Sequence, residues 1–314
     1  MARSARIAVA AAALTLSAPS ASQAADTVFG GSTSAGEPFV VTAGKNATKL
    51  KSLAFVWEAR CDDGRYFPLT LKVTAAKGAA GFSPEPDVLA TSRNAKGRFA
   101  GVQLGARDLG EQVAGISTTV AGKLRRGKAS GTLSAHVTIF DAASNAPVMK
   151  CATGRLRFSA TSSPGRVYGG ITSQEEPVVV RLDRKRRRAT DVLIGWHSDT
   201  CDPPDNLLRY GERLTNFPVR AKRFGDVFEA TVDGDAGGKV TYAYDFAGRL
   251  TSRDARGTFS VRATGRDVAG ATTFSCDSGA ITWKAATSGG GPRSGGSVPI
   301  RRGVRATTSR AFVH

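Results

Sequence analysis

The chain has 314 residues, a formal net charge of +18, three histidines and four cysteines. A hydrophobic content of 41% excludes a wholly disordered chain, and three scattered histidines leave little from which to build a histidine metal centre. Long Leu/Glu/Lys helical patterns are absent, while Thr, Val and the 36 glycines are plentiful, so the composition points to strands and turns.

Met1 to Ala24 has the three-part form of a secretory signal: Arg3 and Arg6, an apolar run from Ile7 to Leu16, and small residues ending Ser22-Gln23-Ala24. Cleavage is expected after Ala24, which places the mature chain outside the cell. The apolar run is about ten residues, short of the roughly 20 that a membrane-spanning helix needs. No later stretch is apolar enough to span a bilayer.

Val28 to Val41 (VFGGSTSAGEPFVV) matches Val167 to Val180 (VYGGITSQEEPVVV) at nine of fourteen positions, at an offset of 139. The same offset places Leu53, Phe55 and Trp57 on Val192, Ile194 and Trp196, and one inserted residue later Cys61 meets Cys201. Downstream, Gly122-Lys123-Leu124 meets Gly248-Arg249-Leu250, and Gly131 to Ser134 meets Gly257 to Ser260, both at offset 126. Each copy closes on a cysteine segment, Cys151 to Phe158 and Cys276 to Trp283. Two tandem domains follow, residues 27–160 and 161–286, with a Gly/Ser/Arg tail over 287–314 that lacks the apolar content to build a core and is expected to be disordered.

Apolar residues alternate with polar or small ones in Leu53 to Cys61, Leu133 to Ile139 and Val240 to Phe246. That period of two predicts half-buried strands. In copy one they are expected near 38–42, 53–61, 67–73, 98–104, 112–120, 131–140 and 149–158. In copy two they are expected near 177–182, 191–199, 217–222, 224–232, 239–246, 257–264 and 271–284. Between them, 75–96 and 203–215 read as loop insertions. The predicted fold is all-β, two tandem antiparallel β-sandwiches of immunoglobulin-like or related form, with a small barrel as the alternative. Four cysteines allow three pairings. The repeat selects Cys61 with Cys151 and Cys201 with Cys276, each bridge worth about 4 kcal/mol for loops of this length. Trp57 and Trp196 are expected on the inward face beside the bridges.

The Tyr168-Gly-Gly-Ile-Thr-Ser-Gln174 opening, the Cys61-Asp-Asp-Gly64 step, the Gly257-Thr-Phe-Ser260 strand and the Cys276-Asp-Ser-Gly279 closure resemble a group of uncharacterised exported tandem β-domain proteins of high-GC Gram-positive bacteria. The resemblance spans both copies, about 28–286, and implies export and fold but no activity. Cys201-Asp-Pro-Pro departs from the Cys-Asp-Asp-Gly pattern.

No Gly-x-Ser-x-Gly elbow, phosphate loop or histidine pair marks a catalytic or metal site, and no cofactor is expected. His136 is predicted to face outward. Asp233-Gly-Asp235 has the start of a calcium loop, but Gly237 and Tyr244 stand where ligands belong, so a hairpin turn is the expectation. His197, Asp199, Asp202 and Asp205 flank Cys201, as Glu58, Asp62 and Asp63 lie near Cys61; a metal or an acid/base pair for a hydrolase is conceivable there, and solubilising carboxylates at a strand end are the default. The sharpest charge feature is Arg184-Lys185-Arg186-Arg187-Arg188, at the turn between the first two strands of copy two. These five residues are the candidate anion-binding site, for an anionic envelope polymer or glycan held by salt-sensitive attraction. The alternative for the same run is a solvated turn on a structural or protein-interaction domain. Nucleic acid is disfavoured, because the run has no interleaved aromatics.

Overall fold

The computed structural model describes residues 26–288, apart from 45–46, 48, 78–87, 94–96, 205–207, 235–236 and 252, and apart from the side chains of 75–77 and 88–93. The signal segment and the tail lie outside the described residues. Copy one consists of ten strands: β1 (Thr27–Thr33), β2 (Pro38–Ala43), β3 (Leu50–Cys61), β4 (Tyr66–Lys77), β5 (Val88–Arg93), β6 (Arg98–Asp108), β7 (Gln112–Arg125), β8 (Lys128–Asp141), β9 (Pro147–Ala152) and β10 (Leu156–Thr161). Copy two follows with β11 (Val167–Thr172), β12 (Pro177–Leu182), β13 (Arg188–His197), β14 (Thr200–Asp202), β15 (Arg209–Pro218), β16 (Arg223–Asp233), β17 (Lys239–Leu250), β18 (Asp254–Arg266), β19 (Thr272–Asp277) and β20 (Ile281–Ala286).

The expected all-β, two-copy fold is present, and each half buries its own core. Trp57, Phe39, Phe55 and Phe158 lie in the first core, and Trp196, Phe246, Phe259 and Trp283 in the second. Both predicted disulfides are formed, and each joins residues directly opposite in a ladder: Cys61 with Cys151 across β3–β9, and Cys201 with Cys276 across β14–β19. No helix among the described residues is long and apolar enough to cross a membrane.

The two copies differ in how the sandwich closes. In copy one the ladder runs β10-β1-β2-β3-β4-β5-β6-β7-β8, and β8 pairs back to β10, so the sheets share hydrogen bonds all the way round. β5 completes this circuit by pairing parallel to β4 and antiparallel to β6. Among the described residues, copy two has no counterpart of β5. Its strand order is β15-β13-β12-β11-β20-β18-β17-β16, with no ladder between β15 and β16 among the described strands.

Several expected boundaries move. Residues 203–215 are not simply an inserted loop: most of β15 lies there, and 219–222, expected in a strand, is the turn that follows it. β15 escapes the period-two pattern because one of its inward positions is Glu212, which is buried. β1 and β11 carry Gly-Gly pairs that weaken any strand signal. The single strands expected at 149–158 and 271–284 each break in two, at Gly154 and Gly279, both with left-handed φ values (63° and 64°).

The Gly-Gly pairs have a packing reason. A Cβ on Gly31 would overlap the Ser159 carbonyl in β10, and one on Gly170 would overlap the Lys284 carbonyl in β20. The first glycine of each pair faces the other copy. A Cβ on Gly30 would stand 2.7 Å from Val179 Cγ1, and one on Gly169 would stand 2.9 Å from Val28 Cγ1. Val28, Val40, Ala54, Val179 and Leu193 form a separate apolar cluster between the copies, in which Val40 is equivalent to Val179 and Ala54 to Leu193. Equivalent residues thus meet reciprocally, as in a two-fold dimer fused into one chain. A polar seam borders the cluster: Lys72 pairs with Glu175 at 2.7 Å, and the Thr70 hydroxyl donates to buried Glu176, which also faces His197 (3.1 Å) and Arg209 (3.6 Å). The best-matched segment of the repeat is therefore the docking surface.

Candidate anion-binding surface

The β12–β13 turn is built around Asp183. Its backbone N–H donates to the Arg188 carbonyl (2.9 Å), its carboxylate accepts from the Arg187 backbone N–H (2.8 Å), and Arg186 adopts a left-handed φ of 55°. That geometry divides the five cations. Arg186 reaches back to the Tyr168 hydroxyl (3.3 Å) and the Thr251 carbonyl (3.5 Å), and Arg188 donates to the Asn216 carbonyl (3.4 Å). These two bind the fold together. Arg184, Lys185 and Arg187 extend into solvent.

The turn does not stand alone. Val219 N–H donates to the Arg187 carbonyl, and Leu250 N–H donates to the Lys222 carbonyl. These bonds, with Arg186 on Thr251, gather three segments at one end of copy two: 183–188, 218–223 and 249–256. Together they hold eleven Lys and Arg against Asp183 and Asp254, a net +9 in a copy whose total is only +3, so the remainder of copy two is net −6. The same end adjoins copy one. Ser162 N–H donates to the Gly127 carbonyl, Gly165 N–H to Thr287 Oγ1, and Thr287 N–H to the Arg253 carbonyl. The β7–β8 turn, with Arg125, Arg126 and Lys128 all exposed, therefore joins the basic region across the linker.

Strand register adds a feature that no local motif displays. Arg223 lies opposite Arg249, Arg249 opposite Arg256, and Arg256 opposite Lys284. Directly opposed residues share a face, so four exposed cations form a row across β16, β17, β18 and β20, one strand apart at about 5 Å. Like charges directly opposite destabilise a sheet. Among the described residues, no carboxylate lies within ion-pair distance of any of the four.

The other candidate clusters disperse. His197 turns to Glu176 at the seam between the copies, and Asp199 accepts from Gln174 Nε2 (3.0 Å). Asp205 is outside the described residues. Among the described residues, no three His, Cys, Asp or Glu side chains come together as a metal cage. Asp233 pairs with Lys239 across a hairpin closed by Gly234 N–H on the Gly238 carbonyl. His136 faces outward as expected, at the rim of a shallow, open depression over the Cys61–Cys151 bridge that is also lined by Arg60, Asp62 and Lys150.

No family model matches the chain, and no curated protein or solved structure is significantly similar to it.

One buried acid in the second core was not singled out by the sequence. Glu212, 2% exposed, lies in the second core, where it accepts a hydrogen bond from the Tyr244 hydroxyl (3.1 Å). Burial pushes its carboxyl up to about 7, against the opposing effect of Tyr244 and the Trp196 indole. Burial likewise lifts the Tyr244 and Tyr242 phenols above their usual range, with the Glu212 charge adding to the rise. Glu58, the counterpart of His197, is also pushed up to about 7 by burial.

Proposed function

We propose that this is an exported, non-catalytic binding protein that holds an anionic polymer against the basic end of copy two. The row Arg223, Arg249, Arg256 and Lys284 carries the reading. A row of like charges costs stability in the free protein, and a chain of phosphate, sulfate or carboxylate groups laid along it relieves that repulsion. Arg184, Lys185, Arg187, Arg220 and Lys222 form the rim from which further contacts to the same chain arise. Two disulfides and an N-terminal segment of secretory form support a place outside the cell, where envelope polymers and glycans are the available polyanions.

The test is binding of the full mature chain to a poly(glycerol phosphate) and to a sulfated glycan, over a range of salt. Replacing Arg249, Arg256 and Lys284 with Ser is expected to weaken binding about tenfold, since three exposed ionic contacts at about 0.5 kcal/mol each sum to about 1.5 kcal/mol. The same substitutions are expected to leave stability unchanged or slightly raised, because they remove opposed charges. Equal affinity of the variant and the parent, or binding insensitive to salt, would sink the proposal.

A further inference from the structure

The bridge end of copy one carries a charge arrangement that copy two lacks. β9 lies between β3 and β8, so Ala152 stands directly opposite Arg60 on one side and His136 on the other. Directly opposed residues share a face, and this one is outward: all three are exposed. Lys150, two residues before Ala152 on β9, shares that face and is exposed as well. With Asp62 they line the open depression over the Cys61–Cys151 bridge, a space of about 370 Å³. The Asp62 carboxylate accepts from the Lys150 backbone N–H (3.3 Å). Among the described residues, no carboxylate lies within ion-pair distance of Arg60, His136 or Lys150.

The repeat supplies the comparison. In copy two the same three-strand row reads Thr200, Asp277 and Arg262. Its central residue is a carboxylate, and Arg262 donates to Asp277 Oδ2 from Nε (3.2 Å) and Nη2 (2.9 Å). In copy one the centre holds only the Ala152 methyl, while Arg60 stands for Thr200, His136 for Arg262 and Lys150 for Ser275. One cation faces two carboxylates, Asp202 and Asp277, in copy two; two cations and a histidine face Asp62 alone in copy one. We propose that the hollow over Ala152 binds a small carboxylic acid, whose carboxylate takes the place that Asp277 fills in copy two. Neighbouring strands lie about 5 Å apart, so Arg60 and His136 are rooted about 10 Å apart with Ala152 as the floor between them. A guanidinium holds a planar carboxylate through two parallel N–H bonds, and an imidazole N–H adds a third from the other side. Lys150 adds attraction as a point charge. The rest of the depression takes the body of the acid. This site is separate from polymer binding at the basic end of copy two, and neither reading depends on the other.

Titration of the full mature chain with N-acetylglycine and with glucuronate, followed by amide and imidazole NMR shifts, tests it. The two acids separate a peptide-like from a sugar-like ligand. Saturable shifts at Arg60, Ala152 and His136 are expected with at least one of them, and none with its methyl ester. Ala152→Asp installs the carboxylate of copy two and is expected to weaken binding at least tenfold, because it occupies Arg60 and repels the ligand. The position is exposed, so unchanged amide shifts in the first core should show that the variant is folded. Arg60→Gln should weaken binding about threefold, as the loss of one exposed ionic contact does. Neither substitution should alter binding of poly(glycerol phosphate), so failure here leaves the polymer reading standing. Shifts that rise without saturation at every exposed cation would overturn the proposal. So would preferential saturation by inorganic phosphate, or undiminished binding by the Ala152→Asp variant.

Discussion

Replacing Glu212 with Gln should change how the stability of copy two depends on pH. The carboxyl is buried against Tyr244, and burial lifts it from 4.5 to about 7. Between those values the native state keeps a proton that the unfolded chain releases. Native protein therefore binds more protons, and stability falls as pH rises, by about 1.4 kcal/mol per unit for this one group. The contribution is fully present below pH 4.5 and is lost as pH passes through 7, a total on the order of 3 kcal/mol. Glutamine keeps the carbonyl that accepts from Tyr244 and cannot ionise. The variant should match the parent near pH 4.5 and exceed it by about 3 kcal/mol at pH 8. Native-state exchange of β17 amides around Tyr244 reports copy two specifically, and Glu58, which has the same sign of pH dependence in copy one, does not confound it. A constant difference between variant and parent from pH 4.5 to 8 would refute the reasoning, because it would mean that Glu212 does not change its proton occupancy on folding.

Other perturbations probe the frame. Gly30→Val or Gly169→Val places a side chain within about 3 Å of valine methyls on the opposite copy, so either should cost about 1–3 kcal/mol and loosen docking, seen as an expanded scattering profile with both cores intact. An unchanged profile and melting temperature would contradict the reciprocal interface. Changing Cys201 and Cys276 together to Ala opens a 75-residue loop and should destabilise copy two by about 4 kcal/mol in denaturant, with copy one little affected.

Much of the scaffold was legible because duplication displays it twice. Matching Cys61 to Cys201 and Cys151 to Cys276 selected the disulfides, and alternation located β3, β8 and β17. Strands whose residues serve a second purpose were hidden. β15 has Glu212 at an inward position, and β1 and β11 have glycines where the two copies touch. The basic turn at 184–188 was plain in the sequence, but folding divides it, with Arg186 and Arg188 tied into the structure and the others free to meet a ligand. The row of Arg223, Arg249, Arg256 and Lys284 could not be foreseen, because residues 61 positions apart at the extremes become neighbours only through ladder register.

That row is what the functional account rests on, and amide protection on binding examines it most directly. With poly(glycerol phosphate) at saturation in low salt, protection should concentrate at 184–187, 220–223, 249–256 and 284, and should vanish when salt is raised. Protection centred instead on the acidic far end, around 199–202 and 233–239, or none at all, would contradict the account.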